Sequence, residues 1–302
     1  MTLQDKVWTL KYAPKKIEDL ILSDKNKNYF SSLINIPNNL LFLGRAGCGK
    51  TTLAKLLANK FSPNSYLYIN ASDENGIDIV RSKITDFIST MSFDGNQKIV
   101  ILDECDGLSF AAQSALRGTM EEYLHDVKFI LTGNFKHKLL DAILSRCQTF
   151  DFNIELKPVT KRIIEIVKAE NIKISTEEDK QGLMSLIKTH FPDIRKTINE
   201  LQGCCINGVF KHNNQENCEV AQTVFEMLQN KSDIFKLREF VISKESEFNN
   251  DYHFLMRNLF DLYIDKCNVA ASLLIADHMY KDAFVLDKEV NFSALIFNIS
   301  KL

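Results

Sequence analysis

The stretch Gly44-Arg45-Ala46-Gly47-Cys48-Gly49-Lys50-Thr51 decides the fold, because it has the phosphate-loop spacing of a glycine, four residues and then Gly-Lys-Thr. Residues 40–43 before it are apolar and short enough for a buried strand, and residues 52–61 after it have apolar residues at helical spacing. Glycines let successive backbone N–H groups point inward at the positive end of a helix, where they can bind phosphate oxygens. The stretch therefore predicts a nucleoside triphosphate site. Lys50 would reach the β and γ phosphates, and Thr51 would offer its hydroxyl to Mg²⁺.

Two acids, Asp103 and Glu104, follow the apolar residues 99–102. On a parallel strand Asp103 would emerge at the carboxyl edge of the sheet, where it can hold the Mg²⁺ shell, partly through water. Glu104 is placed to orient and deprotonate a water molecule, which can speed hydrolysis by about two to four orders of magnitude. A solvated strand end is the alternative, and the phosphate loop disfavours it.

The composition is that of an ordinary globular chain, with 302 residues, 45% hydrophobic and 25% charged. No run approaches the roughly 18 apolar residues of a membrane span, and the N-terminus lacks the order of a signal peptide, so we expect a cytoplasmic protein without a membrane partner. Seven cysteines without a Cys-x-x-Cys pair argue against a disulfide framework and a zinc ribbon. The net charge of −2 gives no bulk attraction for nucleic acid, so any DNA contact must be local.

Five strand-like runs alternate with helix-period segments between residues 40 and 152. The alternation predicts an α/β fold with a parallel five-stranded sheet, in a nucleotide-binding domain of residues 1–152. Helical periodicity then replaces the strand pattern. We expect a small helical domain at 153–210 and an all-helical domain at 211–302, beginning with a polar linker at 211–217.

Further short segments occur in a characteristic order along the chain. They are Lys11-Tyr12-Ala13-Pro14, Asn70-Ala71-Ser72-Asp73, Ile77-Asp78-Ile79-Val80-Arg81, Ser92-Phe93-Asp94-Gly95, Asp103-Glu104-Cys105-Asp106, Ser145-Arg146-Cys147 and Phe191-Pro192-Asp193-Ile194-Arg195-Lys196-Thr197. In this order they make the chain resemble the AAA+ clamp-loader ATPases, that is, the small subunits of replication factor C and, most closely, the large ATPase subunit of the T4-type phage clamp loader. The resemblance covers most of the chain. It implies an AAA+ P-loop domain, a helical lid domain and a helical collar domain for oligomerisation.

The resemblance also implies an ATP site with Mg²⁺. Trp8, Tyr12 and Ile21 would form the adenine pocket. The loop contacts would come from Gly44, Ala46, Gly47, Cys48, Gly49, Lys50, Thr51 and Thr52. The family commonly has Tyr-Arg-Pro near its N-terminus, whereas this chain has Tyr12-Ala13-Pro14, so a cationic contact expected there is missing. The choice of adenine over guanine therefore rests on the family and not on these residues.

Three residues outside the loop acquire roles from the resemblance. Asn134 resembles sensor 1, Arg195 resembles sensor 2 on the lid, and Arg146 is similar to the arginine finger that a neighbouring subunit donates to the ATP. A guanidinium suits that last role because it stays charged and contacts two phosphoryl oxygens at once. From chemistry alone a turn-forming Asn, a solvated Arg and an Arg at a helix end are the alternatives. The family also restrains its catalytic glutamate with a polar switch, for which Asn70 and Asn75 are both candidates.

Helix starts can bind phosphate oxygens without net positive charge, so a DNA partner is compatible with this composition. By resemblance the DNA contacts would be Arg81, Lys83, Ser109 and Gln113, with Gln113 coupling the DNA-facing and ATP-facing ends. Met91 and Phe93 stand where the family contacts its clamp. Ordinary surface charges and packing under the sheet are the respective alternatives.

We therefore expect an ATPase subunit of a sliding-clamp loader, stimulated by the clamp and primer-template DNA. ATP binding would open the clamp and grip DNA, and hydrolysis would release the closed clamp during DNA replication. Because Arg146 would act on a neighbour's ATP, the partners would include identical copies of the chain and at least one other subunit in a pentamer. If the protein is viral, we expect it in the cytoplasm of a bacterial host. Alternatives are another AAA+ motor such as a Holliday-junction branch-migration ATPase, a non-hydrolysing scaffold subunit, and a P-loop metabolite kinase. Lys50, Glu104 and Asn134 argue against the scaffold, and the helical C-terminal half argues against the kinase.

Overall fold

Five parallel strands form the sheet that the sequence predicts. They are β1 (Leu40–Leu43), β2 (Tyr66–Asn70), β3 (Lys98–Asp103), β4 (Val127–Gly133) and β5 (Gln148–Asp151), in the spatial order β2-β3-β4-β1-β5. The carboxyl ends of β1, β4 and β3 are therefore neighbours. This order brings the phosphate loop, Asn134 and Asp103 to one edge of the sheet, although they are far apart in the sequence.

The structure is a computed structural model. It describes residues 6–63, 65–72, 77–90, 97–124, 127–174, 176–206, 208–211, 214–230, 233–246, 248 and 250–302, without the side chains of 77–81, 206 and 214–219. The chain divides into two compact units, Met1–Lys211 and His212–Leu302. The further boundary at residue 152 stays a prediction.

Helices of the first unit precede the sheet, cover it and follow it. They are α1 (Trp8–Lys11), α2 (Asp24–Ser32), α3 (Lys50–Phe61), α4 (Ile77–Ser89), α5 (Phe110–Glu122), α6 (Asp141–Leu144), α7 (Leu156–Ala169), α8 (Glu177–His190) and α9 (Ile194–Gly203). Alternate residues of β1 point to opposite faces of the sheet. Leu40 and Phe42 lie in the core that includes α3, and Leu41 and Leu43 lie in the core that includes α5. Burial on both faces explains why the strands are continuous apolar runs.

Helices α7, α8 and α9 share a core of their own, separate from the two cores on the faces of the sheet. Trp8 of α1 is buried in it with Val159 and Ile163. An antiparallel pair of two-residue strands, β6 (Cys205–Ile206) and β7 (Val209–Phe210), follows α9. Gly208 has φ +75° at the turn between them, a conformation that glycine adopts readily. This hairpin was not predicted, because two residues are too few to show an alternating pattern.

The second unit consists of helices in its described part. They are α10 (Asn214–Gln229), α11 (Ile234–Ser243), α12 (Tyr252–Asp265), α13 (Val269–Asp282) and α14 (Lys288–Ile299). Leu255, Met256 and Leu259 of α12 lie at the centre of its core. The polar linker predicted at 211–217 is partly wrong, since α10 already begins at Asn214; polar residues are common in the first turn of a helix. Among the described helices none is both long and apolar enough to cross a membrane.

Candidate nucleotide site

A cavity of about 510 Å³ lies at the carboxyl edge of the sheet, between the phosphate loop, the N-terminal segment and the start of α9. Many residues predicted from the sequence line it. They are Tyr12, Ile21, Ala46, Gly47, Cys48, Gly49, Lys50, Thr51, Thr52, Asp103, Glu104, Asn134 and Arg195. The fold thus gathers residues from both ends of a 184-residue span of the sequence around one space that is large enough for a nucleotide.

The phosphate loop depends on glycine at two positions. Gly47 has φ +70° and Gly49 has φ +95°, in the left-handed region that residues with a Cβ rarely adopt. A Cβ on Gly47 would also lie 1.8 Å from Oδ1 of Asp193, the N-cap of α9. The backbone N–H of Ile194 donates to the Gly47 carbonyl at 3.3 Å. The start of α9 therefore rests directly on the loop.

Lys50 is buried, with 7% of its surface exposed, and its ammonium group is hydrogen-bonded to three oxygens. It donates to the carbonyls of Gly44 and Arg45, both at 2.8 Å, and to Oδ1 of Asn134 at 3.0 Å. An amine with three donors on a flexible stem can exchange such acceptors for phosphate oxygens. The contact places Asn134, the predicted sensor 1, beside the lysine that is predicted to bind phosphate.

Three hydroxyl groups of the described residues donate to the carboxylate of Asp103. Thr51 Oγ1 lies 2.7 Å and Thr132 Oγ1 lies 2.6 Å from Oδ1, and the Tyr68 hydroxyl lies 2.8 Å from Oδ2. Thr51 and Asp103, the two predicted metal ligands, are thus in direct contact. A hydroxyl and a carboxylate, open to the cavity, fit Mg²⁺, which usually takes one or two protein oxygens and completes its shell with water and phosphate.

Glu104 follows β3 in a left-handed conformation, with φ +55°. Its backbone N–H donates to Thr132 Oγ1 at 3.1 Å, and its exposed carboxylate accepts a hydrogen bond from Ser72 Oγ at 2.7 Å. The sequence offered Asn70 or Asn75 for this contact. Asn70 instead accepts the Ser72 N–H at 3.2 Å, and Asn75 lies outside the described residues. The motif Asn70-Ala71-Ser72-Asp73 contains Ser72, but its spacing does not show which of its side chains contacts Glu104.

The far end of the cavity is lined by the N-terminal segment, including Tyr12 and Ile21. Trp8 is not among the described lining residues, because its side chain is buried with the helices α7 to α9. Instead its backbone N–H donates to Oε1 of Gln202 at 2.9 Å. The Trp8 prediction is therefore corrected by this geometry to a packing position behind the pocket.

Two lid residues contact the same N-terminal segment, and the sequence did not indicate either. Arg162 lines the cavity and donates to the Tyr12 carbonyl at 3.3 Å, so a cation lies beside Ala13 after all. Glu170 accepts hydrogen bonds from the Tyr12 hydroxyl at 2.5 Å and from Lys11 Nζ at 2.6 Å. Partial burial raises the pKa of Glu170, but these hydrogen bonds outweigh it and hold the pKa below its ordinary value. The carboxylate form is therefore favoured.

Arg195 is exposed on the first turn of α9 and lines the cavity, as expected of a lid residue that contacts the nucleotide. Arg146 follows α6 and is absent from the described lining residues. Its guanidinium is hydrogen-bonded to Glu121 and to the Ala142 carbonyl, the latter at 2.7 Å. In the single chain Arg146 therefore serves an intramolecular ion pair.

The residues predicted to contact DNA occupy different environments. Gln113 is 3% exposed, and its amide bonds the carbonyls of Leu108 and Lys138 and the N–H of Leu140. It connects two segments of the protein and is not at the surface. Ser109 is the exposed N-cap of α5, and Lys83 is exposed on α4. The side chains of Arg81, Met91 and Phe93 lie outside the described part of the chain.

The sequence is similar to known proteins over most of its length. A family model described as DNA polymerase III, delta subunit, matches residues 44–155, and one described as the AAA+ ATPase lid domain of the sliding-clamp-loader large subunit matches residues 154–212. The replication factor C small subunit of Archaeoglobus fulgidus is 39% identical over 211 residues, which is 67% of this chain and 65% of that protein. The probable replication factor C subunit 5 of Dictyostelium discoideum is 32% identical over 265 residues, which is 84% of this chain and 72% of that protein.

Proposed function

Because the chain belongs to the family of replication factor C subunits, we propose that it is an ATPase subunit of a sliding-clamp loader acting in DNA replication. The observation that carries the proposal is the joint arrangement of Lys50 with Asn134, Thr51 with Asp103, and Glu104 with Ser72 around one cavity. These groups can bind, position and hydrolyse a nucleoside triphosphate.

In this mechanism the backbone N–H groups of the phosphate loop and Lys50 bind the triphosphate. Thr51 and Asp103 would hold Mg²⁺, which when bound neutralises charge on the phosphates. Lys50 moves from the Gly44 and Arg45 carbonyls to phosphate oxygens, and Asn134 is then available to position water. Arg195 contacts the phosphates from the lid.

Glu104 acts as the general base, because its carboxylate is exposed and lines the same cavity as Asp103, the residue before it. Its backbone conformation turns the side chain away from the strand direction. Release of the Ser72 hydrogen bond would free the carboxylate to deprotonate water. Stimulation of turnover by clamp and DNA is part of the proposal and would act on this contact.

Arg146 leaves Glu121 and contacts the ATP of an adjacent subunit, so the active oligomer has shared sites. The proposed partners are the sliding clamp, primer-template DNA, copies of this chain and at least one different subunit in a pentamer. The chain spans 65% and 63% of the length of the Archaeoglobus fulgidus and Methanocella arvoryzae relatives, so these partners are proposed for the chain and not carried over. A likeness to the T4-type phage loader, and a bacterial host cytoplasm, stay predictions.

ATP turnover by the chain with its co-expressed partner subunits tests the proposal. We expect turnover to rise on adding clamp together with primed DNA, and to fall to background with Glu104→Gln. A clamp loader is excluded if wild-type turnover is indifferent to clamp and DNA. A scaffold subunit would give no turnover even though nucleotide binds.

A further inference from the structure

Tyr68 stands apart from the residues that the sequence and the family suggested for the site. It lies on β2, an edge strand of the sheet, and the residue is 38% exposed. Its hydroxyl is 2.8 Å from Oδ2 of Asp103, on the neighbouring strand β3. The Tyr68 phenol therefore points toward the carboxyl edge of the sheet and contacts Asp103, the proposed metal ligand.

The Asp103 carboxylate offers about four lone-pair positions for hydrogen bonds or metal. Thr51 and Thr132 both donate to Oδ1, and Tyr68 donates to Oδ2. Bonds to both oxygens hold the carboxylate against rotation about its Cβ–Cγ bond more firmly than bonds to Oδ1 alone. About one acceptor position then remains on Oδ2.

The ring of Tyr68 is itself held from the phosphate-loop helix. Lys55 Nζ lies 4.1 Å from the ring centroid, at the distance of a cation–π contact. Lys55 is one helical turn after Thr51 on α3. One helix therefore supplies both a donor to Oδ1 of Asp103 and the cation that orients the donor to Oδ2.

We propose that Tyr68 is a positioning residue for Mg²⁺, which aims the remaining acceptor position of Asp103 at the metal shell. The inference rests on the proposed ATP site and deepens it. Hydrogen-bond partners of metal ligands commonly contribute about 10- to 100-fold to metal affinity or activity, because they fix ligand orientation. The nucleotide itself is bound by other groups, so its metal-free affinity should not depend on Tyr68.

The test is Tyr68→Phe in the full chain, with a fluorescent ADP titrated in excess Mg²⁺ and in EDTA. We expect the affinity in Mg²⁺ to fall about 10-fold relative to the wild type. The affinity in EDTA should stay unchanged. Tyr66→Phe is the matched control, since Tyr66 is two residues earlier on the same face and packs against the core that includes α3. It should leave both affinities as in the wild type.

A double-mutant cycle separates this role from general damage to the strand. In an Asp103→Asn background, Tyr68→Phe should change the Mg²⁺ dependence no further, because the two act through one carboxylate. An equal loss of affinity with and without Mg²⁺, or an undiminished Mg²⁺ dependence in Tyr68→Phe, would overturn the inference while leaving the ATP site intact. Absence of nucleotide binding by the wild type would instead overturn the proposed function and the inference with it.

Discussion

The hydroxyl of Ser72 donates a hydrogen bond to Oε2 of Glu104 across a distance of 2.7 Å. Ser72 follows the end of β2, and Glu104 follows the end of β3, so adjacent strands deliver the two side chains to the same edge. The resting chain therefore holds its candidate general base with a neutral donor. The Ser72 hydroxyl occupies an acceptor position of this carboxylate that a water molecule would otherwise use.

Ser72→Ala should raise ATP turnover measured without clamp and DNA. Removing one hydrogen bond to an exposed charged group changes a free energy by about 1.5 kcal/mol, so the increase should be about 10-fold. Ser72→Thr keeps the hydroxyl and serves as the control, with turnover close to the wild type. Lower turnover in Ser72→Ala than in Ser72→Thr would show that the contact assists catalysis.

Glu104→Gln should lower turnover by about 10² to 10⁴-fold, because the amide cannot accept a proton from water. Nucleotide affinity should be retained, since Lys50 and the loop bind the phosphates. Single-turnover hydrolysis and a binding titration on the same sample measure the two effects. Equal losses in binding and turnover would argue that Glu104 is structural.

Arg146→Ala should lower the turnover of the assembled oligomer by about 10³-fold, as expected for an arginine finger. In mixtures with Glu104→Gln, turnover should exceed the weighted sum of the two separate activities, because the intact Glu104 site of an Arg146→Ala chain receives Arg146 from a Glu104→Gln neighbour. A strictly proportional sum of the two activities would remove the shared-site claim.

Glu121→Gln is the matched variant for Arg146, since it removes the intramolecular partner and leaves the arginine in place. It should retain at least wild-type turnover. If it reproduced the defect of Arg146→Ala, the ion pair and not the contact with a neighbour would be the function of Arg146.

Glu170→Gln should reduce stability at pH 7 by about 1 kcal/mol, because the charge-assisted bonds from Lys11 and Tyr12 are weakened. The pKa of Glu170 in the folded protein lies below its ordinary value of 4.5. Its contribution to the free energy of unfolding is therefore fully present above pH 4.5, and it is lost as the pH falls through the pKa of the folded state. The difference between wild type and variant should therefore shrink below about pH 4.5. Urea unfolding followed by fluorescence of Trp8, the one tryptophan, reports on this region.

The control for Glu170 is Glu165→Gln on α7, the helix that ends immediately before Glu170. Glu165 is half exposed and lies 3.5 Å from Arg162, so its loss should change stability by less than about 0.5 kcal/mol. A pH dependence that persists in Glu170→Gln would assign the titration to another group.

Gln113→Ala should destabilise the first unit by about 1 to 3 kcal/mol, since it leaves backbone groups of Leu108, Lys138 and Leu140 without their amide partner. Urea unfolding followed by circular dichroism measures the loss. Arg117→Ala, an exposed change on the same helix, should have little effect. If Gln113→Ala were as stable as the wild type, Gln113 would have no structural role, and only the predicted coupling of the DNA-facing and ATP-facing ends would remain.

Much of the first unit could be predicted from the sequence. The strands β1, β3 and β4 are buried on both faces, so each is an uninterrupted apolar run that stands out from its surroundings. The phosphate loop and Asp103 followed from motif spacing and a strand end, and Asn134 followed from the family resemblance. The hairpin at Gly208 and the short helix α1 did not follow, because each spans only about one period of its pattern, which is too short to show a repeat.

The contacts between distant side chains could not be predicted in the same way. The site is reached by Tyr68 on β2, Ser72 just after β2 and Arg162 on α7. The hydrophobic pattern of these elements indicates only which face of each is buried. Whether a hydroxyl or guanidinium meets a particular acceptor depends on strand register and rotamer, which no spacing rule encodes. Trp8 was misplaced for the same reason, since a large aromatic fits either a pocket wall or a lid core.

Gly47 is the point at which the loop and the lid touch, since a Cβ there would overlap Oδ1 of Asp193. Position 47 therefore fixes the smallest gap that can exist between the phosphate loop and α9. A single methyl group would act as a spacer, and Arg195 on the first turn of that helix would be carried outward with it. The reach of the lid arginine is thus set by a residue that has no side chain.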